Sequence, residues 1–336
     1  MWKGRRGTIA RLSPDCPDDR LERLETVKVF PTHRRHLLSA VAIIAGAGTA
    51  SAQPARNWRA QFPTVGFGIL SVESQSATVT RFNDFPAYFR SKLGVDCRIF
   101  QATDYTGVVQ ALAGGQIPMA RLGPASYASA WIDSNGAVEP LVTWYAPTGQ
   151  AGYYSILIVR SDSPFRAVED LRGRTLAWAD PDSTSGYLVP LAALREQNLD
   201  PARFFSRTVF PGGHEQSVLG VLNGNFDAAF TWTADDDAFG QLRMMIDRGV
   251  LQRERIRVIM QSPLIPNPPI CVRKDLPAEM KADLTSFFLN MTQDNMEMAE
   301  SVAAGRTTGF LRATEEMYRP IVDVAQIQRE QRRRRN

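Results

Sequence analysis

Hydrophobic and polar positions alternate along this chain between two periods, short apolar runs that read as strands and longer stretches with apolar residues three or four apart that read as helices. Val65-Gly66-Phe67-Gly68-Ile69-Leu70 predicts a first strand, and Arg81 to Leu93, with Phe82, Phe85, Phe89 and Leu93 at helical spacing, predicts a helix. Cys97 to Phe100 follows as a second strand. Tyr105 to Ala113 then reads as a helix held between the N-cap Asp104 and the stop signal Gly114-Gly115. Pro118 to Leu122 is a third strand, and Gly123-Pro124 opens a helix to Trp131 with proline in its favoured first turn. The order is β-α-β-α-β.

The same order starts again at Tyr154 to Val159, a strand, and continues through a short helix at 168–171 and a strand from Thr175 to Ala179. A helix from the Ser-Thr-Ser sequence, a helix from His214 to Leu222 and a strand from Phe226 to Phe230 complete the second unit. Val258 to Ser262 is expected to cross back, and a helix from Ala278 to Met296 to finish the first unit. Two such units predict an α/β protein of two lobes, 53–153 plus 256–320 and 154–255, with a cleft lined by helix N-termini and loops at strand ends.

The segment most charged with chemistry is Asp182-Ser183-Thr184-Ser185-Gly186-Tyr187-Leu188-Val189, a strand-to-helix turn bearing three consecutive hydroxyls. Free N–H groups at a helix start and three short hydroxyls supply the donors that a phosphate-like oxyanion needs. Taken alone, Asp182 or Ser183 is as well explained as a helix cap. Tyr105 and Tyr153 each carry one O–H on an apolar ring suited to clamping a small anion, although either alone reads as a core tyrosine. His214 follows Gly212-Gly213 at a helix start and can aim an N–H at the same point, or serve as a satisfied core histidine. Ser126, in the first turn after Pro124, is a weaker candidate.

Composition matters chiefly through what the N-terminus removes. Thr32-His33-Arg34-Arg35-His36-Leu37-Leu38 is a twin-arginine pattern, Leu37 to Ala47 is about as long as a signal h-region, and Ala50-Ser51-Ala52 is a small-x-small cleavage site. Residues 1–52 are therefore expected to be an export signal cleaved after Ala52, with residues 1–30 either an over-called start or a long n-region. Those 52 residues hold nine of the 39 basic and five of the 35 acidic side chains, leaving 30 of each. The net charge of +4 thus belongs to the precursor, no basic face is implied, and nucleic acid is not an expected partner. The arginine-rich end, 321–336, reads as a basic disordered tail. Of three cysteines Cys97 and Cys271 remain, expected as buried free thiols in strands, with one bridge permitted by an oxidising compartment. His214 is the only histidine left, which excludes a histidine-rich zinc site.

Phe67-Gly68-Ile69-Leu70-Ser71-Val72-Glu73-Ser74, Asp104-Tyr105-Thr106-Gly107, Gly152-Tyr153-Tyr154-Ser155, Asp180-Pro181-Asp182-Ser183-Thr184-Ser185-Gly186, Gly213-His214-Glu215 and Ser262-Pro263-Leu264-Ile265-Pro266 occur in this order. From about residue 64 to 295 the chain resembles the periplasmic phosphonate-binding proteins of ABC transporters. The resemblance implies a type II periplasmic-binding fold and a periplasmic monomer without cofactor or metal. It also implies delivery of a phosphonate, phosphite or phosphate to a membrane permease. By match, the oxyanion would be held by Ser183, Thr184, Ser185, Tyr105 and Tyr153 from first-lobe loops, and His214.

The resemblance weakens at the far end of the ligand. Members that take aminoalkyl phosphonates place carboxylates in the loops matched by Thr233-Ala234-Asp235 and Pro266-Asn267-Pro268, where this chain has Ala234 and Pro268. Asp235, with Asp236 and Asp237 beside it, offers a shifted carboxylate, or an acidic helix start. Two competing readings stay open. A hydrolase could use Ser183 or Thr184 with His214 and Asp180 or Asp182, although no Gly-x-Ser-x-Gly elbow accompanies them. A ligand-binding sensor for a receptor would carry the same site.

Overall fold

The computed structural model describes residues 57–234 and 239–335, so the segment expected to be an export signal and Asp235 lie outside the described residues. The chain forms β1 (Thr64–Ile69), β2 (Asp96–Phe100), β3 (Met119–Arg121) and β4 (Val138–Tyr145). It continues with β5 (Gly152–Arg160), β6 (Thr175–Ala177), β7 (Arg207–Val209), β8 (Ala228–Ala234), β9 (Phe239–Gly240), β10 (Ile256–Gln261) and β11 (Ile265–Pro266). β12 (Ile270–Arg273) and β13 (Gly309–Arg312) return to the first unit.

Two sheets result. The first runs β13-β4-β12-β3-β1-β2 and the second β10-β5-β8-β6-β7, with β11 on β5 and β9 on β8. Each has a parallel centre, β3-β1-β2 or β8-β6-β7, extended by antiparallel strands. The chain crosses between sheets twice, after Tyr145 and after Pro266, and two adjacent crossings make a hinged pair of lobes. The expected return at residue 256 is corrected here. β10 pairs antiparallel with β5 and stays in the second sheet, because its apolar residues complete that lobe's core: Ile256 packs with Ile156, Ile158 and Val221.

The cores follow from the strand period. On β5, Ile156 and Ile158 face one layer of helices while Leu157 and Val159 face the other, as expected for a strand covered on both sides. The first lobe is held by aromatic rings: Phe67 of β1 lies 5.2 Å from Phe85, and Phe287 lies 5.2 Å from Phe89 and 5.0 Å from Phe288. Burial of each such ring contributes about 1.5–3 kcal/mol.

Three further expectations change, and the free state expected of the cysteines holds. The helix over 81–93 is two, Gln75–Arg81 and Phe85–Leu93, because Pro86 fits only the first turn of a new helix. The helix over 278–296 stops at Leu289, and Asn295 caps a separate helix, Met296–Ala303, by accepting from Met298 N–H. The basic end is not a tail but the second half of the helix Glu315–Arg335, whose Val322, Ala325 and Gln328 are buried. It is docked by Tyr318 against Tyr127 and by Arg329 on Asp133 at 2.6 Å. Cys97 and Cys271 are free, the first half-buried and the second buried. Their strands β2 and β12 are separated by β1 and β3, roughly 14 Å at normal strand spacing, beyond the reach of a disulfide.

Candidate functional site

A cavity of about 40 Å³ lies where the lobes meet, walled by residues from β3, the two crossings and the Ser-Thr-Ser turn. Its size is a fraction of the ~150 Å³ that accommodates benzene, so it suits a compact ligand of few atoms.

The turn owes its shape to local sequence. Ser183 is the N-cap, its Oγ accepting from Gly186 N–H at 3.0 Å. Thr184–Leu188 then form a π-helical turn, with Leu188 N–H reaching Ser183 C=O at 3.0 Å, a wide turn often found at functional sites. The N–H groups of Thr184 and Ser185, first in the helix, have no intrahelical acceptor. Gly186 is required by closeness: a Cβ there would stand 2.3 Å from Ala179 Cβ and 2.9 Å from His214 Cε1. Ser183, Thr184 and Ser185 are all buried and line the cavity.

His214 opens the helix His214–Leu222 after Gly213, which takes a φ of 150°. The ring is buried, with Nε2 3.2 Å from Ser183 Oγ and Nδ1 3.2 Å from Thr231 Oγ1. Burial lowers its pKa to about 3, so the imidazole is neutral. Tyr105, whose ionisation burial suppresses, also lines the cavity. Tyr153 is hydrogen-bonded with the Thr184 and Ser185 side chains, and burial pushes its pKa up to about 12. Both tyrosines are thus neutral hydroxyl donors. The placement of Tyr153 corrects the expectation of a first-lobe loop: it is the second residue of β5 and faces Ile265 of β11, at the hinge side of the second sheet.

Ser126 is also corrected. It is fully buried, but its Oγ donates to Asp182 C=O at 2.8 Å and it does not line the cavity. Instead it belongs to a set of bonds that joins the lobes. Ala125 N–H donates to Thr184 Oγ1 at 2.8 Å, Thr106 Oγ1 to Asp182 Oδ2 at 2.8 Å, and Ser129 Oγ to Asp182 Oδ1 at 2.7 Å. Tyr105 N–H donates to Asp180 Oδ2 at 3.3 Å. Burial raises the pKa of Asp180 to about 6 despite these donors. At the cleft mouth a second, ionic set is formed by Glu73 and Arg81 of the first lobe with Arg248 and Glu215 of the second. Arg248 sits 2.8 Å from Glu215 and 3.8 Å from Glu73, Glu73 is hydrogen-bonded to Arg81, and Ser74 N–H donates to Glu215 at 2.9 Å.

Sequence reasoning missed the charge of the cavity. Arg121, the last residue of β3, is 5 % exposed and lines the cavity. Its guanidinium lies 4.9 Å from the centre of the Trp144 ring, Nη2 donates to Ala303 C=O at 3.3 Å, and Nε has no partner. Burial lowers its pKa to about 10, which leaves it charged at neutral pH. A cation on an aromatic face gains about 0.5–2 kcal/mol, less than the several kcal/mol that burying an ion costs. The signal was present, since an arginine interrupts the apolar run Ile117-Pro118-Met119-Ala120 immediately before the Gly123-Pro124 helix start. Only strand pairing shows that this arginine points at a cleft. Trp144, Trp232 and Asn267, also in the wall, carried no such signal. Among the described residues no cluster of side chains is placed to hold a metal ion.

The sequence profile described as "ABC transporter, phosphonate, periplasmic substrate-binding protein" matches residues 67–318. The phosphonates-binding periplasmic protein of Escherichia coli K12 is 34% identical over 243 residues, 71% of this chain and 69% of that one. A phosphate-import protein of Mycolicibacterium smegmatis is 29% identical over 259 residues, 74% of this chain and 78% of the relative. The crystal structure of a binding component of an ABC phosphonate transporter from Pseudomonas aeruginosa superposes with a TM-score of 0.70 at 28% identity, covering 78% of this chain and 85% of that one. Profile, relatives and fold agree that this chain belongs to the periplasmic substrate-binding proteins of phosphonate ABC transporters.

Proposed function

We propose that the protein captures a small tetrahedral phosphorus oxyanion in this cavity and delivers it to an ABC importer without altering it. The observation that carries the reading is the convergence of the Ser183–Ser185 hydroxyls, two neutral tyrosines and a neutral histidine on a cavity whose one charged wall residue, among those described, is Arg121. The names of the relatives, one phosphonate-binding and one phosphate-importing, support the same cargo class. The ligand bridges the lobes, with Tyr105 and Arg121 on one side and Tyr153, the turn and His214 on the other. Export by the twin-arginine signal, with cleavage after Ala52, places the mature chain where such cargo is met.

A binding role is favoured over hydrolysis by the company of His214. Its second nitrogen meets the Thr231 hydroxyl, while Asp180 and Asp182 are held by Tyr105, Thr106 and Ser129 at the lobe junction. Among the described residues no carboxylate therefore orients the imidazole as a general base requires. Phosphite, phosphate or methylphosphonate should bind more tightly than 2-aminoethylphosphonate, because an ammonium group would be buried near Arg121 with Ala234 and Pro268 in place of carboxylates.

Calorimetry on the mature protein with these four ligands tests the reading. Charge-assisted hydrogen bonds contribute about 1.5–3 kcal/mol each, so Thr184→Ala and His214→Ala should each weaken oxyanion binding by roughly 10- to 100-fold. Unchanged affinity in both variants would remove the site. Phosphate released from methylphosphonate at an enzymatic rate would establish a hydrolase instead.

A further inference from the structure

The helix Glu315–Arg335 touches both lobes. It is anchored on the first: the Tyr318 ring stands 5.5 Å from Tyr127, Val322 is buried in the same apolar cluster, and Arg329 pairs with Asp133 at 2.6 Å. Tyr318 Oη also donates to Asn267 C=O at 2.8 Å, on the second crossing between the sheets. The far end of the helix meets the second lobe. Arg195, on the helix Val189–Glu196 that follows the hydroxyl turn, donates from Nη1 to Gln331 Oε1 at 3.2 Å. Ala325, Gln328 and Arg329 wall a cavity of about 220 Å³ together with Asp182 and Leu188 of the second lobe and Thr106 and Ser129 of the first. The helix thus backs the inner junction, and none of its residues lines the ligand cavity.

Helical rise places Gln331 ~20 Å from Tyr318, so the two ends respond differently to hinge motion. A rotation of about 15° between the lobes moves a point that far from the crossing by ~5 Å. This breaks the Arg195–Gln331 bond and leaves the Tyr318 anchor in place. We propose that the helix is a clasp: fixed to the first lobe and to the crossing, it grips the second lobe through Arg195 only when the lobes are closed, and so sets ligand affinity from outside the cavity. A contact made in the closed state alone raises that state's population, and a ligand that requires closure gains affinity by up to the same factor. The affinity readout rests on the proposed oxyanion capture, whereas the clasp itself does not.

The test places opposite charges at one exposed position. Gln331→Glu should attract Arg195 and Gln331→Arg should repel it, each by the factor of about two to five that an exposed ion pair carries. In calorimetry on the mature protein, affinity for inorganic phosphate and methylphosphonate should rise by that factor in Gln331→Glu and fall by it in Gln331→Arg. Both changes should vanish when Arg195→Ala is added. Equal affinities in the two charge variants, or a difference that survives Arg195→Ala, would overturn the clasp while leaving oxyanion capture intact. Solution scattering without ligand decides it independently: the radius of gyration should be larger for Gln331→Arg than for Gln331→Glu, and equal values would overturn the clasp. Failure of the parent protein to bind either anion would refute oxyanion capture instead, and the scattering comparison would then judge the clasp alone.

Discussion

The lobes are joined in two regions of opposite chemistry. Beside the cavity, Asp182, Thr184 and Asp180 take up hydroxyl and backbone donors from Thr106, Ser129, Ala125 and Tyr105, while at the mouth Glu73, Arg81, Arg248 and Glu215 meet as ions. The inner set is directional, and Thr184 belongs to both the junction and the cavity wall, so closing the lobes and shaping the site are one event there. In the outer set only Arg248, with a side chain about one-third exposed, is open to water and salt, while Glu73, Glu215 and Arg81 are largely buried, so the set is screened only in part. Long-range attraction at the mouth can draw the lobes together. Of the two sets, the inner one includes a residue of the cavity wall, Thr184.

The largest expected difference between the regions is in acid. Asp180 has its folded-state pKa raised from 3.8 to about 6 by burial. The stability this gives is present below about pH 4 and lost as pH rises through 6, and the shift is worth at most about 3 kcal/mol. Asp180→Asn should therefore gain stability relative to the parent protein between pH 4 and pH 7. His214, depressed to about 3, works in the other direction in both proteins, its contribution being lost as pH falls from about 6.5 toward 3. Urea titrations at several pH values measure the difference, and parallel curves would show that Asp180 is not buried as described.

A smaller effect is expected at Asp182. Asp182→Ala removes the acceptors of Thr106 and Ser129 but not the carbonyl used by Ser126. Oxyanion affinity should fall by about 10-fold, with a larger radius of gyration at half-saturating ligand seen by solution scattering. A change in affinity without any change in scattering would separate site shape from closure and break the identity claimed for the inner region.

The smallest effect belongs to the mouth. Arg248→Ala should change stability or affinity by about 1 kcal/mol, an effect reduced but not abolished near 1 M salt because Glu73 and Glu215 are buried while Arg248 is partly exposed. A larger, salt-insensitive loss would mean that the ionic set is as structural as the inner one.

Features encoded in a few adjacent residues were legible without a structure. The helix Tyr105–Ala113 begins after Asp104, whose side chain accepts from Gly107 N–H at 2.9 Å, and stops at Gly114. The helix His214–Leu222 has the expected ends. Ser183, Thr184, Ser185, Tyr105, Tyr153 and His214 do share one cavity. The charge in the cavity wall was not legible. Arg121 became visible through the pairing of β3 with β1 and β12, contacts separated by some 50 and 150 positions along the chain.

The sequence by itself determined the α/β order, the hydroxyl turn and six of the residues that line the cavity, because caps, proline positions and short apolar runs act over one or two turns of chain. Tertiary structure alone decided that β10 stays with the second sheet, that Tyr153 approaches from the hinge, that Ser126 turns from the cavity to Asp182, and that the arginine-rich end is a docked helix. Each of these depends on which apolar face covers which, and on where a donor finds its acceptor once the lobes meet. Those are properties of packing between distant segments, and no local pattern carries them.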